Sequence, residues 1–175
     1  MVTPRLLDIP VCGVFPISNA DANRLLVAWQ HKLGTCDRPF RMESFALEVA
    51  GRPVAVAISA SIVHGPVDGF QVNEVVELAR LAACEPWANR VMLRVWREVC
   101  APKYECWRPK AAVSYSHNKL HTGDLYRFDG WRKVKTNCGT TGKAGNWGRR
   151  GEGYQNEALH GLKTLWMWDY PPEGN

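Results

Sequence analysis

The stretch from Val72 to Lys135 constrains the fold more than any other part of the chain. It holds an apolar strand pattern over 74–83, a break at Glu85-Pro86, an amphipathic helical pattern, an apolar strand from Ala111 to Tyr115, a short helical pattern, and a further strand opening at Trp131. Periodicity that switches from two to 3.6 and back to two is what consecutive β-α-β units in a mixed sheet produce. Polar groups interrupt these runs at Glu77, Arg80, Ser114, Tyr115 and Tyr126, on or just after strands, where a packed sheet holds a side chain rigidly. In α/β sheets such positions are where chemistry is expected.

The remaining elements fit around this unit. Leu6, Leu7 and Ile9 suggest a short first strand ending near Cys12. Ser18 with Asp21 three residues on is a capping signature, and Ala22, Leu25, Leu26, Trp29 and Leu33 then recur at helical spacing until Gly34. Phe45, Leu47 and Val49, a turn at Gly51-Arg52, and Val54, Val56 and Ile58 read as a hairpin over 44–62, and 64–69 reads as a connection. Leu165 to Trp168 is a final strand apolar on both faces, hence interior to the sheet. A chain of 175 residues is long enough to bury a core as one domain, so the expectation is a single α/β unit spanning 1–175. Its mixed central sheet is expected to hold about six to seven strands, flanked by three to four helices.

Strand alternation places Val76, Leu78, Arg80 and Ala82 on one face of their strand and Val75, Glu77, Ala79, Leu81 and Ala83 on the other. An arginine there needs a carboxylate, a phosphate or solvent, and alternation points Glu77 away from it. Arg80 thus reads either as a salt bridge to another element or as a ligand contact. Asn89 is a good helix N-cap, after which Val91, Met92, Val95, Trp96 and Val99 make an apolar face and Arg90, Arg94 and Arg97 another. A helix that begins directly after a central strand offers free N–H groups to an anion, and Arg90 is read as lying in that first turn. His31, near the end of the first helix, fits either a solvated, dipole-stabilised histidine or a site residue.

The formal net charge of +5 and pI near 9.0 lean toward an anionic partner. From about 137 to 162 a Gly-rich stretch interleaves Lys143, Arg149 and Arg150 with Trp147 and Tyr154, a composition that suits either a loop wrapping a polyanion or a plain surface excursion. Six cysteines without a C-x-x-C pair exclude a zinc ribbon or thioredoxin motif and read as reduced, mostly buried thiols. His117 and His121 are four apart, so a metal pair is conceivable beside the plainer reading of two loop histidines. No basic leader followed by an apolar stretch opens the chain, and no run is long enough to span a bilayer, so a cytoplasmic protein is expected.

The order strand, helix, hairpin, strand, helix, strand, helix, strand, strand is similar to the GNAT acyltransferase fold. LHTGDLYRFDGW resembles that fold's late helix, where a tyrosine precedes a G-[FW] pair opening the next strand. SYSHNKLHTGDLYRFDGW, with ELARL and a terminal KTLWMWDY after a Gly-rich loop, resembles more specifically the Mom family of bacteriophage DNA-modification proteins. The likeness runs in order over roughly 25–170 and is sharpest over 77–131. It implies a transferase acting on the N6 amine of adenine in double-stranded DNA, leaving a carbamoylmethyl- or acyl-type adduct that protects the DNA from restriction. It also implies four catalytic positions: His31 removing a proton, Arg80 stabilising charge, Ser114 orienting the amine and Tyr126 protonating the leaving group.

The same resemblance implies acetyl-CoA or a related acyl donor lying against Leu81, Ala83, Ala88, Asn89 and Arg90, and DNA held by Lys143, Arg149 and Arg150; a homodimer is left open and no membrane is involved. Two motifs depart from the pattern. Glu85 to Arg90 contains no glycine where the acyl-CoA turn usually has them, and Ser116-His117 stand where an aspartate is expected after S-Y. Two other function classes share many of these features: a GNAT N-acyltransferase acting on a small amine or protein, and a non-catalytic DNA-binding module.

Overall fold

The computed structural model describes residues 12–38, 41–63, 65–139 and 161–172. The strand expected at 6–9 and the Gly-rich stretch with Lys143, Arg149 and Arg150 lie outside the described residues. Seven strands form one sheet: β1 (Cys12–Ile17), β2 (Met42–Val49), β3 (Arg52–Ala60), β4 (Val75–Ala83), β5 (Ala111–His117), β6 (Arg132–Cys138) and β7 (Lys163–Asp169). Their order is β1-β2-β3-β4-β5-β7-β6, and every pair is antiparallel except β4 with β5. Among the described residues three α-helices accompany the sheet: α1 (Asn19–Ala28), α2 (Pro86–Val95) and α3 (Asp124–Phe128). The expected α/β architecture is therefore present, with β7 inside the sheet as its two apolar faces required.

Local chemistry explains most boundaries. Ser18 caps α1, its Oγ accepting the Asp21 N–H at 3.0 Å, and the buried stripe is Ala22 and Leu26. The β2–β3 hairpin turns through Ala50 and Gly51, both at positive φ, the two-residue turn whose twist matches the strands. α2 starts at Pro86, not at Asn89: Glu85 is the extended N-cap residue, and Pro86 lacks the N–H that a first turn leaves unpaired anyway. Arg90 consequently falls in the second turn, exposed.

The helix continues through a π-helical turn at Trp96–Cys100, and this turn buries Arg97, which helical spacing groups with Arg90 and Arg94 opposite the apolar face. Arg97 Nε donates to Asp129 Oδ2 at 2.5 Å, and its guanidinium lies 3.6 Å from the centre of the Trp168 ring. That contact fastens the end of α2 to the end of α3.

The sheet separates the core. On one face α2 and α3 pack Met92, Leu93 and Trp96 against Leu78, Ala112, Trp131 and Trp166; on the other, Ala22 and Leu26 of α1 meet Val56, Ile58 and Ala82. The thiols correct one expectation. Cys36 and Cys100 are buried, whereas Cys12, Cys84 and Cys106 are exposed; all six are free.

Candidate active site

β4 and β5 pair only from Val75↔Ala111 to Glu77↔Val113. Beyond that point they diverge, leaving a notch between Leu78–Ala83 and Ser114–His117. A cavity of roughly 510 Å³ fills it, lined by both strands, by 29–33 after α1, by Asn89 of α2, by 120–126 and by Lys163. A parallel pair that parts in mid-sheet leaves backbone groups on both lips, a ready place for an extended ligand.

β4 carries a bulge at the mouth of this notch. Its register against β3 runs Ile58↔Arg80 and then Ser59↔Leu78, so Ala79 has no partner of its own. One extra residue reverses the alternation: Leu78 stays with the α2 core, whereas Arg80 moves to the face of Glu77, Ala79 and Ala82. Strict alternation had set Arg80 and Glu77 on opposite faces; the bulge brings them onto one. Arg80 Nε and Nη2 donate to the carbonyls of Gly34 and Thr35 at 3.3 and 3.2 Å, and Nη1 to that of Ala79 at 2.7 Å. It thereby clamps the turn after α1. Asn23 fastens the same turn through paired hydrogen bonds to the Cys36 backbone at 2.8 and 3.1 Å.

The clamped turn carries His31 into the cavity. Its Nδ1 is buried with no hydrogen-bond partner among the described residues. Burial, with Arg80 and His121 nearby, pushes the imidazole from 6.5 down to about 4, so it is neutral at pH 7. Glu77, 6 % exposed, accepts from Arg38 Nη2 at 2.8 Å; burial raises its carboxyl pKa, while Arg38, Arg80 and Lys163 hold it down.

On the opposite wall Ser114, fully inside strand β5, meets Tyr126 oxygen to oxygen at 2.9 Å and donates to the Leu78 carbonyl at 3.2 Å, tying the two lips together where they part. Tyr126 is fixed by its ring, stacked on Trp166 at 5.7 Å and edge-on to Trp131 at 5.4 Å. Burial raises its pKa, the Ser114 hydrogen bond opposing, so the phenol keeps its proton at neutral pH. α3 can present this ring because Gly123, its N-cap at φ +80, lies flat on Trp166: a Cβ there would run into the indole.

Of the residues singled out from sequence, His31, Arg80, Ser114 and Tyr126 line one cavity, as do Leu81, Ala83 and Asn89. Ala88 is buried in the core beneath, and Arg90 is outside the lining. His117 and His121 both line the cavity. His117 belongs to β5 and is buried; its Nδ1 accepts the Lys119 N–H at 3.2 Å, and its Nε2 lies so near Gly161 that a Cβ there would overlap it. No group of three or more metal-ligating side chains occurs among the described residues. Sequence reasoning missed Lys163, the first residue of β7 and part of the lining. A lysine opening an apolar strand was the available signal, the same one that drew attention to Ser114.

The fold is that of the GNAT acetyltransferases. The chain is similar to a probable acetyltransferase from Staphylococcus epidermidis (TM-score 0.57, 6 % identity, covering 92 % of this chain and 100 % of that one). It is similar to the ribosomal-protein-S18-alanine N-acetyltransferase from Escherichia coli (0.56, 14 %, 94 % and 97 %) and to yncA, a putative acetyltransferase from Salmonella typhimurium solved with its cofactor acetyl-CoA (0.56, 14 %, 94 % and 96 %). No protein-family model matches the sequence, and no curated protein sequence matches it.

Proposed function

We propose that the protein is a GNAT-type transferase that moves an acyl-type group from a coenzyme A thioester, acetyl-CoA or a relative, to an amine, and that the amine is N6 of adenine in double-stranded DNA. The observation that carries this reading is convergence. His31, Arg80 and Ser114, which match the DNA-modification proteins, and Tyr126, which matches the GNAT tyrosine, come from four separate elements and line one notch.

The notch suits the thioester's arm. Leu81 and Ala83 lie on the open lip of β4, and the Asn89 side-chain oxygen is buried at the start of α2 without a partner among the described residues, an acceptor left for an amide N–H. When bound, the thioester supplies the acyl carbon, whose bond to sulfur breaks as its bond to the amine nitrogen forms. Tyr126, a neutral phenol at 2.9 Å from Ser114, is placed to give the departing thiolate its proton. His31, neutral and lining the same notch, is placed to take the proton that the amine loses. Arg80 holds the His31 turn and adds positive charge beside the site. Adenine N6 is a poor nucleophile paired inside the duplex, so the base must leave the helix at a cost of about a few kcal/mol before this constellation can act.

The neighbours of like fold favour a second reading, N-acylation of a small amine or a protein, which would use the same notch. Nucleoside mass spectrometry of plasmid DNA from cells producing the protein separates the two. The adenine reading predicts a heavier deoxyadenosine and protection from restriction enzymes. An unmodified nucleoside profile with soluble protein present overturns it and leaves the small-amine or protein acceptor.

A further inference from the structure

The two faces of the notch differ in charge. Tyr126, Ser114 and Ser116 belong to the α3 face, where Ser116 Oγ accepts from Trp166 Nε1 at 2.9 Å. The α1 face is set by the other half of the same register. His117 and Lys163 are direct cross-strand partners on β5 and β7, two residues along from Tyr115↔Leu165, which joins the Val75–Val113 core, and so on the same face. The β4 bulge adds Arg80 to this face, and the turn after α1 adds His31 and Lys32; His121 closes the rim. Among the described residues that line the cavity, one carboxylate stands against these groups, Asp124, and it pairs with Arg127 at 2.8 Å.

The groups also repel one another. His31 is depressed by burial first and then by Arg80 and His121; His121 by burial and then by Lys32 and His117; and Lys163 is lowered by burial, with Glu77 opposing and Arg80 and Arg38 adding. Mutual repulsion of this kind is relieved by an anion brought among the cations, and the local field favours its arrival. A cationic amine acceptor, such as a polyamine or a lysine side chain, would meet the opposite.

We propose that the acceptor amine reaches the notch on a phosphorylated molecule, its phosphate held on the α1 face by Lys163, Lys32 and His121 while the amine points toward His31. The proposal rests on the notch being the transfer site; it assigns a phosphate subsite on the acceptor side, away from the Asn89 end. Three donors on three different segments line this one cavity, and Lys163, partly desolvated, forms charge-assisted hydrogen bonds stronger than an exposed lysine would. The same phosphate chemistry is offered by a free nucleotide and by the phosphodiester of a nucleic-acid strand.

The test follows the ring protons of His31 and His121 in the intact protein by NMR during titration with dAMP, deoxyadenosine, a trinucleotide with adenine at its centre, coenzyme A and inorganic phosphate. The expected result is that dAMP or the trinucleotide binds at least about tenfold more tightly than deoxyadenosine and raises the apparent pKa of both histidines. Lys32→Ala, at an exposed position, and Lys163→Gln should each erase most of that preference. Preference for the trinucleotide over dAMP assigns the phosphate to a strand, and the reverse assigns it to a free nucleotide.

Equal binding of dAMP, trinucleotide and deoxyadenosine overturns the proposal. So does a coenzyme A titration that alone reproduces the His121 shift, since the subsite would then belong to the donor. A phosphate-dependent shift in a protein that leaves DNA adenine unmodified supports the subsite while refuting the adenine reading.

Discussion

At the scale of single residues, the account turns on protonation states set by position. His31 is neutral because burial, and after it the nearby Arg80 and His121, drops its pKa from 6.5 to about 4. The sign of the consequence is fixed: between those values the unfolded chain binds a proton that the folded chain does not, so folding stability falls as pH drops through that window and the contribution is fully present above 6.5. Thermal unfolding across pH 4–7 should therefore show a loss on the acid side that His31→Gln reduces, and a variant with the parental profile would contradict the buried, neutral assignment. Transfer rate should show no inflection from His31 between pH 6 and 8. The residue type was legible in the sequence, but its neutrality was not, because nothing local to His31 reveals that Arg80 and His121 fold against it.

At the scale of elements, the structure differs from the sequence reading where one residue changes the phase of a pattern. The Ala79 bulge is invisible to a count of alternating apolar residues, since VVELARLAA reads equally well with or without it. Yet it decides that Arg80 shares a face with Glu77 and clamps the turn after α1. The start of α2 differs for another reason: Asn89 has the right chemistry for a cap, but Pro86, with its φ already helical, begins the helix four residues earlier than that cap would. The α1 cap, the hairpin and the interior β7 were legible because each is signalled by local spacing alone.

α3 supplies the prediction at this scale. Gly123→Ala puts a side chain at positive φ into Trp166, and should cost about 2–4 kcal/mol while displacing Tyr126 from Ser114. Chemical denaturation measures the first effect and transfer rate the second. Parental stability would show that α3 does not depend on that contact.

At the scale of the whole molecule, the sheet is a scaffold whose two halves part at Glu77↔Val113, and the candidate site residues are gathered at the parting. The fold class was readable from the order of elements, while the convergence of His31, Arg80, Ser114 and Tyr126 needed the three-dimensional crossing of four segments. Under the proposed function, Lys143, Arg149 and Arg150 hold DNA phosphates, so neutralising all three should weaken duplex binding across sequences and lower the slope against log salt by roughly one per lost contact. An unchanged slope would place the DNA surface elsewhere.

The central claim is that Tyr126 protonates the leaving group of a transfer to adenine. Tyr126→Phe keeps the ring between Trp166 and Trp131 and removes only the hydroxyl that meets Ser114, a change of about 1 kcal/mol in stability. Modified deoxyadenosine measured in DNA from cells producing the parent and the Phe variant, with melting temperature taken on both proteins, tests it directly. The account predicts modified adenine with the parent, an initial rate of modification lower by roughly two to four orders of magnitude with the variant, and nearly equal melting temperatures. Near-parental modification by a Phe variant whose melting temperature has fallen would contradict it.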